Sequence, residues 1–279
     1  MVYKIGIVGL GYVGSAIANS YRNGNTKNIE LYTYDIDSSK NPNCKTLNDL
    51  VNLSEIIFIA VPTPMNKDGF CDTSIVENIV EDINKFSTTK IIIIKSTIIP
   101  GTTERLQEKY STQHIFFSPE FLTEANHLND YLKQSFLILG KPEKISTKIC
   151  NYVLEHQTSV LKFVRKTMVV SATSAEMFKY LTNAFLATKV SFANEMFQLS
   201  KIIGVDWNDL QEMIMIDDRL GKTHWKVPGP DGHLGYGGNC FPKDVCALIK
   251  HAETMNIPTP VLNATWKRNK EIDRFNENT

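Results

Sequence analysis

The sequence predicts an α/β protein. An N-terminal doubly wound, mainly parallel sheet of the Rossmann type is followed by an all-α domain built around one long central helix. Three observations carry this expectation. Short β-branched runs alternate with helical stretches over the first 170 residues, the pattern of βαβ units. A glycine-rich turn, Gly9-Leu10-Gly11-Tyr12-Val13-Gly14, separates the first apolar run from the first helical stretch. From Thr173 to about Ile203 the chain then contains no Gly or Pro, which suits one long helix. The expected domains are residues 1–170, binding a dinucleotide, and 171–279, helical and serving dimerisation and catalysis.

Lys4 to Leu10 reads as a buried strand, Ser15 to Tyr21 as a helix, and Ile29 to Tyr34 as a second strand ending on Asp35. In that context Gly9 makes the tight turn, Gly11 lets backbone approach a pyrophosphate, and Gly14 permits close helix–strand packing. The helix start at Tyr12 and Val13 offers amide donors and a positive dipole end to phosphate. Asp35 follows the last glycine by about 20 residues, where a carboxylate accepts from ribose hydroxyls and repels a 2′-phosphate. The cofactor expected is NAD. Lys40 is a cation able to neutralise a 2′-phosphate, so NADP stays open at this point.

Further strands are expected at Glu55 to Val61, Lys90 to Thr97, His114 to Phe117 and Phe136 to Gly140, the last followed by a helix near Glu143 to His156. Ligands bind beyond the carboxyl ends of such strands. Asp35, Pro62 with Thr63, Thr97 and Glu120 stand at those ends. Past Gly204, Asp206 is a plausible N-cap for a helix to Met215.

Composition narrows the classes. The 279 residues carry Lys+Arg 30 against Asp+Glu 30, and 42% are hydrophobic, enough apolar content for two packed domains. Zero formal charge argues against nucleic acid or an anionic membrane as main partner. No apolar run reaches the length of a membrane span, and Met1 runs almost directly into the first strand, so a cytoplasmic location is expected. The five cysteines are odd in number and lack metal-ligand spacing, so neither a disulfide nor a metal is expected.

The most informative stretch is Gly235-Tyr236-Gly237-Gly238-Asn239-Cys240-Phe241-Pro242-Lys243-Asp244. A cysteine behind a glycine-rich turn, with a cation nearby, has the makings of a nucleophile. Taken alone it reads more simply as a small buried hydrophobe. In isolation Lys179 reads as a solvated helix face, Glu120 and Glu124 as surface or capping groups, and Arg219 as part of an exposed ion pair. The Met and Phe residues of the long helix read as core, and Cys71 and Cys246 as structural.

Taken together these segments resemble the UDP-glucose/GDP-mannose dehydrogenase family. The matching stretches are the glycine turn, Val61-Pro62-Thr63-Pro64, Ser96-Thr97 with Pro100-Gly101-Thr102-Thr103, and Ser118-Pro119-Glu120-Phe121-Leu122-Thr123-Glu124-Ala125. Ala175 to Tyr180 with Asn183, Ser191 to Glu195, Asp218 to Gly221 and the cysteine segment follow in the same order. The resemblance implies oxidation of a nucleotide-sugar C6 hydroxyl to a carboxylate with two NAD. Cys240 would capture the aldehyde as a thiohemiacetal and carry it to a thioester. Lys179 and Asn183, one helical turn apart, would stabilise an oxyanion. Glu120 would activate the hydrolytic water, which Thr97 could hold, and Asp244 would orient a proton carrier or water. Glu120 and Glu124 would share a face if the segment after Pro119 is helical. The resemblance places Glu124 with Pro62, Thr63 and Thr97 at the cofactor. It places Glu120, Phe121, Leu122, Thr123, Lys179, Asn183, Arg219 and Gly237 at the substrate.

The chain departs from the family in four respects. Family members continue into a third, nucleotide-binding-like domain, for which no residues follow Thr279. The loop from His224 to Gly235 is longer than usual, and Val227 to Gly232 is expected to cover part of the site. Thr123 stands where the family often has arginine, and the arginine usual before Leu137 is replaced around Ser135-Phe136. The partners expected are a nucleotide-sugar substrate and a second copy of the chain through the long helix. For the missing domain three alternatives stay open: a second polypeptide that supplies it, a smaller substrate, or a degenerate copy that binds NAD without turnover.

Overall fold

The computed structural model describes residues 2–23 and 28–275. It forms two compact units: Met1–Pro64 with Asp72–Lys179, and Met65–Cys71 with Tyr180–Thr279.

The first unit is built on a seven-stranded sheet in the order β2-β1-β3-β4-β5-β6-β7. The strands are β1 (Tyr3–Val8), β2 (Ile29–Tyr34), β3 (Ile56–Ile59), β4 (Ile91–Ile94), β5 (His114–Phe117), β6 (Phe136–Lys141) and β7 (Lys166–Ser171). Between them run α1 (Tyr12–Asn23), α2 (Leu47–Leu53), α3 (Ser74–Phe86), α4 (Thr102–Lys109), α5 (His127–Lys133) and α6 (Thr147–Val160). All pairings are parallel except β5 with β6, which meet antiparallel at Phe117 and Gly140. The doubly wound, mainly parallel sheet is therefore the one expected. The period of two along each strand explains why the central strands are apolar throughout. Ile57, Ile59, Ile92, Ile94, Ile115 and Phe117 enter one core, while Ile5, Ile7, Ile56, Phe58, Ile93 and Phe116 enter the other. Each fully buried Ile or Phe contributes roughly 2 kcal/mol.

Two elements differ from expectation. β7 was not anticipated: it is an edge strand whose Met168 and Val169 stay exposed, so it lacks the continuous buried run that marks the others. The helix expected near Glu143 begins at Thr147 instead, because Pro142 to Ile145 closes a turn, Ile145 N–H donating to Pro142 C=O at 3.2 Å.

The last helix of the first unit is shared. α7 spans Ala172–Ile203, and its first turns belong to the sheet domain. Glu176, fully buried, accepts from Gly101 N (2.6 Å), Thr103 N (2.9 Å) and Thr103 Oγ1 (2.5 Å). These are orphan donors at the start of α4, whose N-cap Gly101 has no side chain to satisfy them. Burial raises the Glu176 carboxyl above its ordinary range despite those hydrogen bonds.

The second unit holds the rest of α7 with α8 (Trp207–Ile216), α9 (Phe241–Thr254) and α10 (Pro260–Arg268). Asp206 caps α8 as expected, accepting from Asn208 N at 2.9 Å. A core forms from Ala193, Trp207, Trp225 and Val227. The long loop is thus anchored on its own unit by Trp225 and Val227, and Asp231 in it pairs with Arg274. The reading of the α7 Met and Phe residues as core needs correction. Met177, Phe178, Phe185 and Phe192 are all exposed, as are Leu181, Leu199 and Ile203, because one chain supplies no cover for that side of a helix apolar most of the way round.

Glu176→Ala leaves two buried donors of Thr103 and the half-buried Gly101 amide without their acceptor. It should cost about 3 kcal/mol, read as a lower urea midpoint at unchanged slope. Glu176→Gln, which keeps an acceptor, should lose less.

Candidate functional site

The first group of residues surrounds the turn after β1. Gly9 has φ +90, and a Cβ there would stand 2.5 Å from Ala60 O. A Cβ on Gly14 would collide with the carbonyl oxygen of Gly9. These two glycines are structural requirements of the turn. Gly11 differs: among the described residues nothing lies within 4 Å of where its Cβ would be. That open space, next to the start of α1, could hold a phosphate against the helix amide donors. Asp35 closes the same turn, Oδ2 accepting from Leu10 N at 2.6 Å and Oδ1 from Asp37 N at 2.9 Å. Burial would raise this carboxyl, but the Leu10 and Asp37 amides and the Lys40 ammonium bring it below its usual range. Lys40 Nζ pairs with Asp35 Oδ2 at 3.2 Å, so its charge is engaged by that carboxylate. The set fits a dinucleotide bearing ribose hydroxyls.

At the ends of β3 and β4, Ser96 ties the two exits together. Its Oγ accepts from Val61 N (2.9 Å) and donates to Val61 O (2.7 Å), fixing the turn into Pro62 and the buried Thr63; Thr97 is the next residue after Ser96. Tyr12 and Glu124 are brought near one another by His127. Its ring stacks edge-on against Tyr12 at 5.1 Å, and its Nδ1 lies 3.0 Å from Glu124 O. His127 did not stand out in the sequence, since a histidine at an element end is an ordinary capping residue, and Ser96 stood there only as part of a matching stretch.

The second group is a buried ion pair. Lys179 Nζ donates to Glu120 Oε1 at 2.9 Å and to Glu120 O at 2.6 Å, with side chains 4% and 9% exposed. Glu120 Oε2 also accepts from Leu122 N at 2.8 Å. Burial alone would raise Glu120, but the Lys179 ammonium holds the carboxyl below its ordinary range, with the Leu122 amide and the Lys95 charge assisting. The solvated reading of Lys179 is thereby overturned. The segment from Pro119 is not helical; only a 3₁₀ turn at Glu124–Asn126 follows. Glu120 and Glu124 do not share a helix face, because the Glu120 carboxylate folds back onto its own turn. Around the pair, Phe121 packs on Phe136 and Phe178, and the Lys179 ammonium sits 5.4 Å from the Phe121 ring centre. Leu122 packs into the sheet core. Thr123 donates its N–H and hydroxyl to Asp130 Oδ2 at 2.9 and 2.5 Å, so its hydroxyl braces the turn.

In the second unit, Cys240 is the N-cap residue of α9, with Pro242 in the first turn. An anion on its Sγ would face the positive end of that helix. Asp244 N donates to Cys240 O at 2.9 Å, and the Asp244 carboxylate is buried. Asn183 Nδ2 donates to its Oδ2 at 2.6 Å, and Lys243 pairs with Oδ1. Asp244 therefore orients Asn183, a partnership the sequence did not suggest. The Arg274 guanidinium occupies the space a Cβ on Gly237 would need. Arg219 is 88% exposed and paired with Asp217 at 2.6 Å. Among the described residues no cluster of three or more His, Cys, Asp or Glu could hold a metal, and no helix is long and apolar enough to cross a membrane.

The glycine geometry separates binding from folding. Gly11→Val should leave the melting temperature nearly unchanged yet weaken NAD binding about tenfold or more, measured by calorimetry. Gly9→Val should unfold the turn itself, lowering the melting temperature through its φ and its contact with Ala60.

Residues 38–158 match the UDP-glucose/GDP-mannose dehydrogenase family, NAD binding domain, and residues 173–271 match the central domain of the same family. UDP-glucose 6-dehydrogenase of Pseudomonas aeruginosa is 35% identical over 77% of this chain and 48% of its own length. UDP-glucose 6-dehydrogenase of Campylobacter jejuni is 31% identical over 98% of this chain and 73% of its own. Among solved structures, a UDP-glucose dehydrogenase from the archaeon Pyrobaculum islandicum superposes with a TM-score of 0.84 at 26% identity, covering 97% of this chain and 68% of that one. The chain spans about half the length of several curated relatives it matches. With both domains matched in order over most of its length, the chain belongs to the UDP-glucose/GDP-mannose dehydrogenase family.

Proposed function

We propose that this chain carries out the four-electron oxidation of the C6 hydroxyl of a nucleotide sugar, UDP-glucose to UDP-glucuronate, through a thioester on Cys240. One observation carries the reading: Cys240 starts α9 one turn before a buried Asp244 that holds Asn183. A dehydrogenase making a single hydride transfer needs no such nucleophile. NAD, when bound, supplies the hydride acceptor for each of the two oxidations.

The residues then divide the work. The Lys179 ammonium and the Asn183 amide stabilise negative charge on the C6 oxygen as it loses its proton. Cys240 Sγ adds to the resulting aldehyde, forming a C–S bond and a thiohemiacetal. Loss of the second hydride from C6 leaves the thioester. Water held by Thr97 and deprotonated by Glu120 adds to the thioester carbon, the C–S bond breaks, and the thiol is regained. In sum, one alcohol, two NAD and one water give one carboxylate, two NADH and three protons. Phe121, Leu122 and Thr123 would line the sugar, with Gly237 supplying backbone and Arg219 a charge from its exposed pair.

The exposed face of α7 supports a homodimer. Leu181, Phe185, Phe192 and Leu199 leave it uncovered. Beside it, α7 and α8 form an apolar groove of about 480 Å³ lined by residues such as Phe192, Met196, Leu210 and Trp225. Patches of this kind mark protein interfaces. Phe192→Asp should shift the purified chain toward monomer in analytical ultracentrifugation; a wild type that is monomeric at micromolar concentration would remove the dimer.

The deciding measurement is NADH formed per molecule across a panel of UDP- and GDP-sugars. Two NADH per UDP-glucose is expected. In Cys240→Ser the steady-state rate should fall at least about 10³-fold, whereas a simple alcohol oxidation would survive at one NADH per substrate. Turnover of a GDP-sugar alone would change the substrate, and NAD binding without any turnover would reject the activity.

A further inference from the structure

A third charge lies against the Lys179–Glu120 pair and has no part in the reaction as proposed. Lys95 follows β4 and is 2% exposed. Its ammonium donates to Ser118 Oγ at 3.2 Å and to Pro119 O at 3.3 Å. These are the two residues that lead the chain from β5 into Glu120. The charged groups acting on Lys95 are Glu120, from that same turn, and Lys179, from α7. Around it the end of β3 presents Ile59, whose carbonyl accepts from Lys95 N at 2.8 Å, and the end of β5 presents Ser118 and Pro119, none of which titrates. Two lysines and one glutamate thus share a site largely shielded from bulk solvent, and the net charge there depends on the Lys95 proton.

We propose that Lys95 is a positioning residue for Glu120: its two hydrogen bonds fix the Ser118–Pro119 turn, and its positive charge adds to that of Lys179 in favouring the ionised Glu120 carboxyl, ready to accept a proton from water. The inference rests on the reading of Glu120 as the base of thioester hydrolysis. A buried lysine with two neutral partners is costly to keep charged. Burial brings Lys95 down to about 7, with Glu120 opposing that fall and Lys179 adding to it. The charge is therefore present on the acid side of neutrality, where it joins Lys179 in opposing protonation of Glu120.

The sign of the stability effect follows. Unfolded, a lysine titrates near 10.4, so from pH 7 to 10 the unfolded chain holds a proton that the folded chain has released, and folding grows more favourable as pH rises. Below pH 7 both states are protonated and the full cost of the buried charge remains. Lys95→Met removes this dependence. Its melting temperature relative to wild type should be highest below pH 7 and should fall by about 4 °C or more toward pH 10.

The activity arm uses pH profiles of kcat/KM. In Lys95→Met the acid limb should move up by about half a pH unit or more, with NAD affinity unchanged. Lys95→Arg, which keeps the charge, should restore the limb. A pH-independent melting difference, or a closing difference without movement of the acid limb, would overturn the proposal. Should wild type fail to turn over any sugar nucleotide, the reaction reading fails by itself. Glu120 can then be titrated directly by carboxyl ¹³C NMR, where an unmoved midpoint in Lys95→Met sinks the coupling and a raised one keeps it. If the Met variant does not fold, ¹³C-lysine spectra of wild type decide, because a lysine titrating near neutrality that disappears in Lys95→Arg is required.

Discussion

Lys179 and Glu120 hold opposite charges out of water, and much of the first unit is arranged so that neither is left alone. Removing either partner would strand the other, which costs far more than the pair itself contributes. The compensation is visible atom by atom. The ammonium reaches the carboxylate and the Glu120 carbonyl, and the second carboxylate oxygen takes the Leu122 amide. The turn that carries Glu120 is tied in turn by Lys95. To deliver Lys179 to this point, α7 must begin against the sheet, and Glu176 secures that beginning by capping α4. A charge-pairing demand and a packing demand are thus met within four residues of one helix.

The dinucleotide turn follows a different logic. Two of its glycines are required because carbonyl oxygens occupy the space a side chain would take, whereas Gly11 faces open space. Asp35 serves both purposes, since its carboxylate closes the turn on Leu10 while presenting acceptor capacity at the carboxyl end of β2. That dual duty explains why the carboxyl stays ionised despite its burial, and why Lys40 is drawn to it.

The second unit shows what happens when the constraint is incomplete within one chain. Trp207, Trp225 and Val227 make a small core, yet the apolar side of α7 beside it remains in solvent. Exposed aromatic surface on a long helix is unfavourable in water, so the uncovered side of α7 is where cover by a second protein surface would release the most free energy.

Sequence by itself determined the sheet, the glycine turn, Asp35, the long helix and the Asp206 cap, because each depends on local periodicity or on a residue with a special backbone or capping role. It also marked Lys179, Asn183, Glu120, Asp244 and Cys240 as a set, through their order along the chain. It could not assign their pairings. That Asp244 holds Asn183, that Glu120 folds back rather than joining Glu124, and that Thr123 is committed to Asp130 depend on atoms brought together by the fold. β7 escaped notice because an exposed edge strand carries no buried run, and the α7 aromatics were misplaced because composition cannot say which side of a helix the chain covers. Lys95 is the clearest case: inside the expected strand from Lys90 to Thr97 nothing marks it out, and only tertiary packing, by burying it and setting Glu120 and Lys179 near it, makes its charge matter.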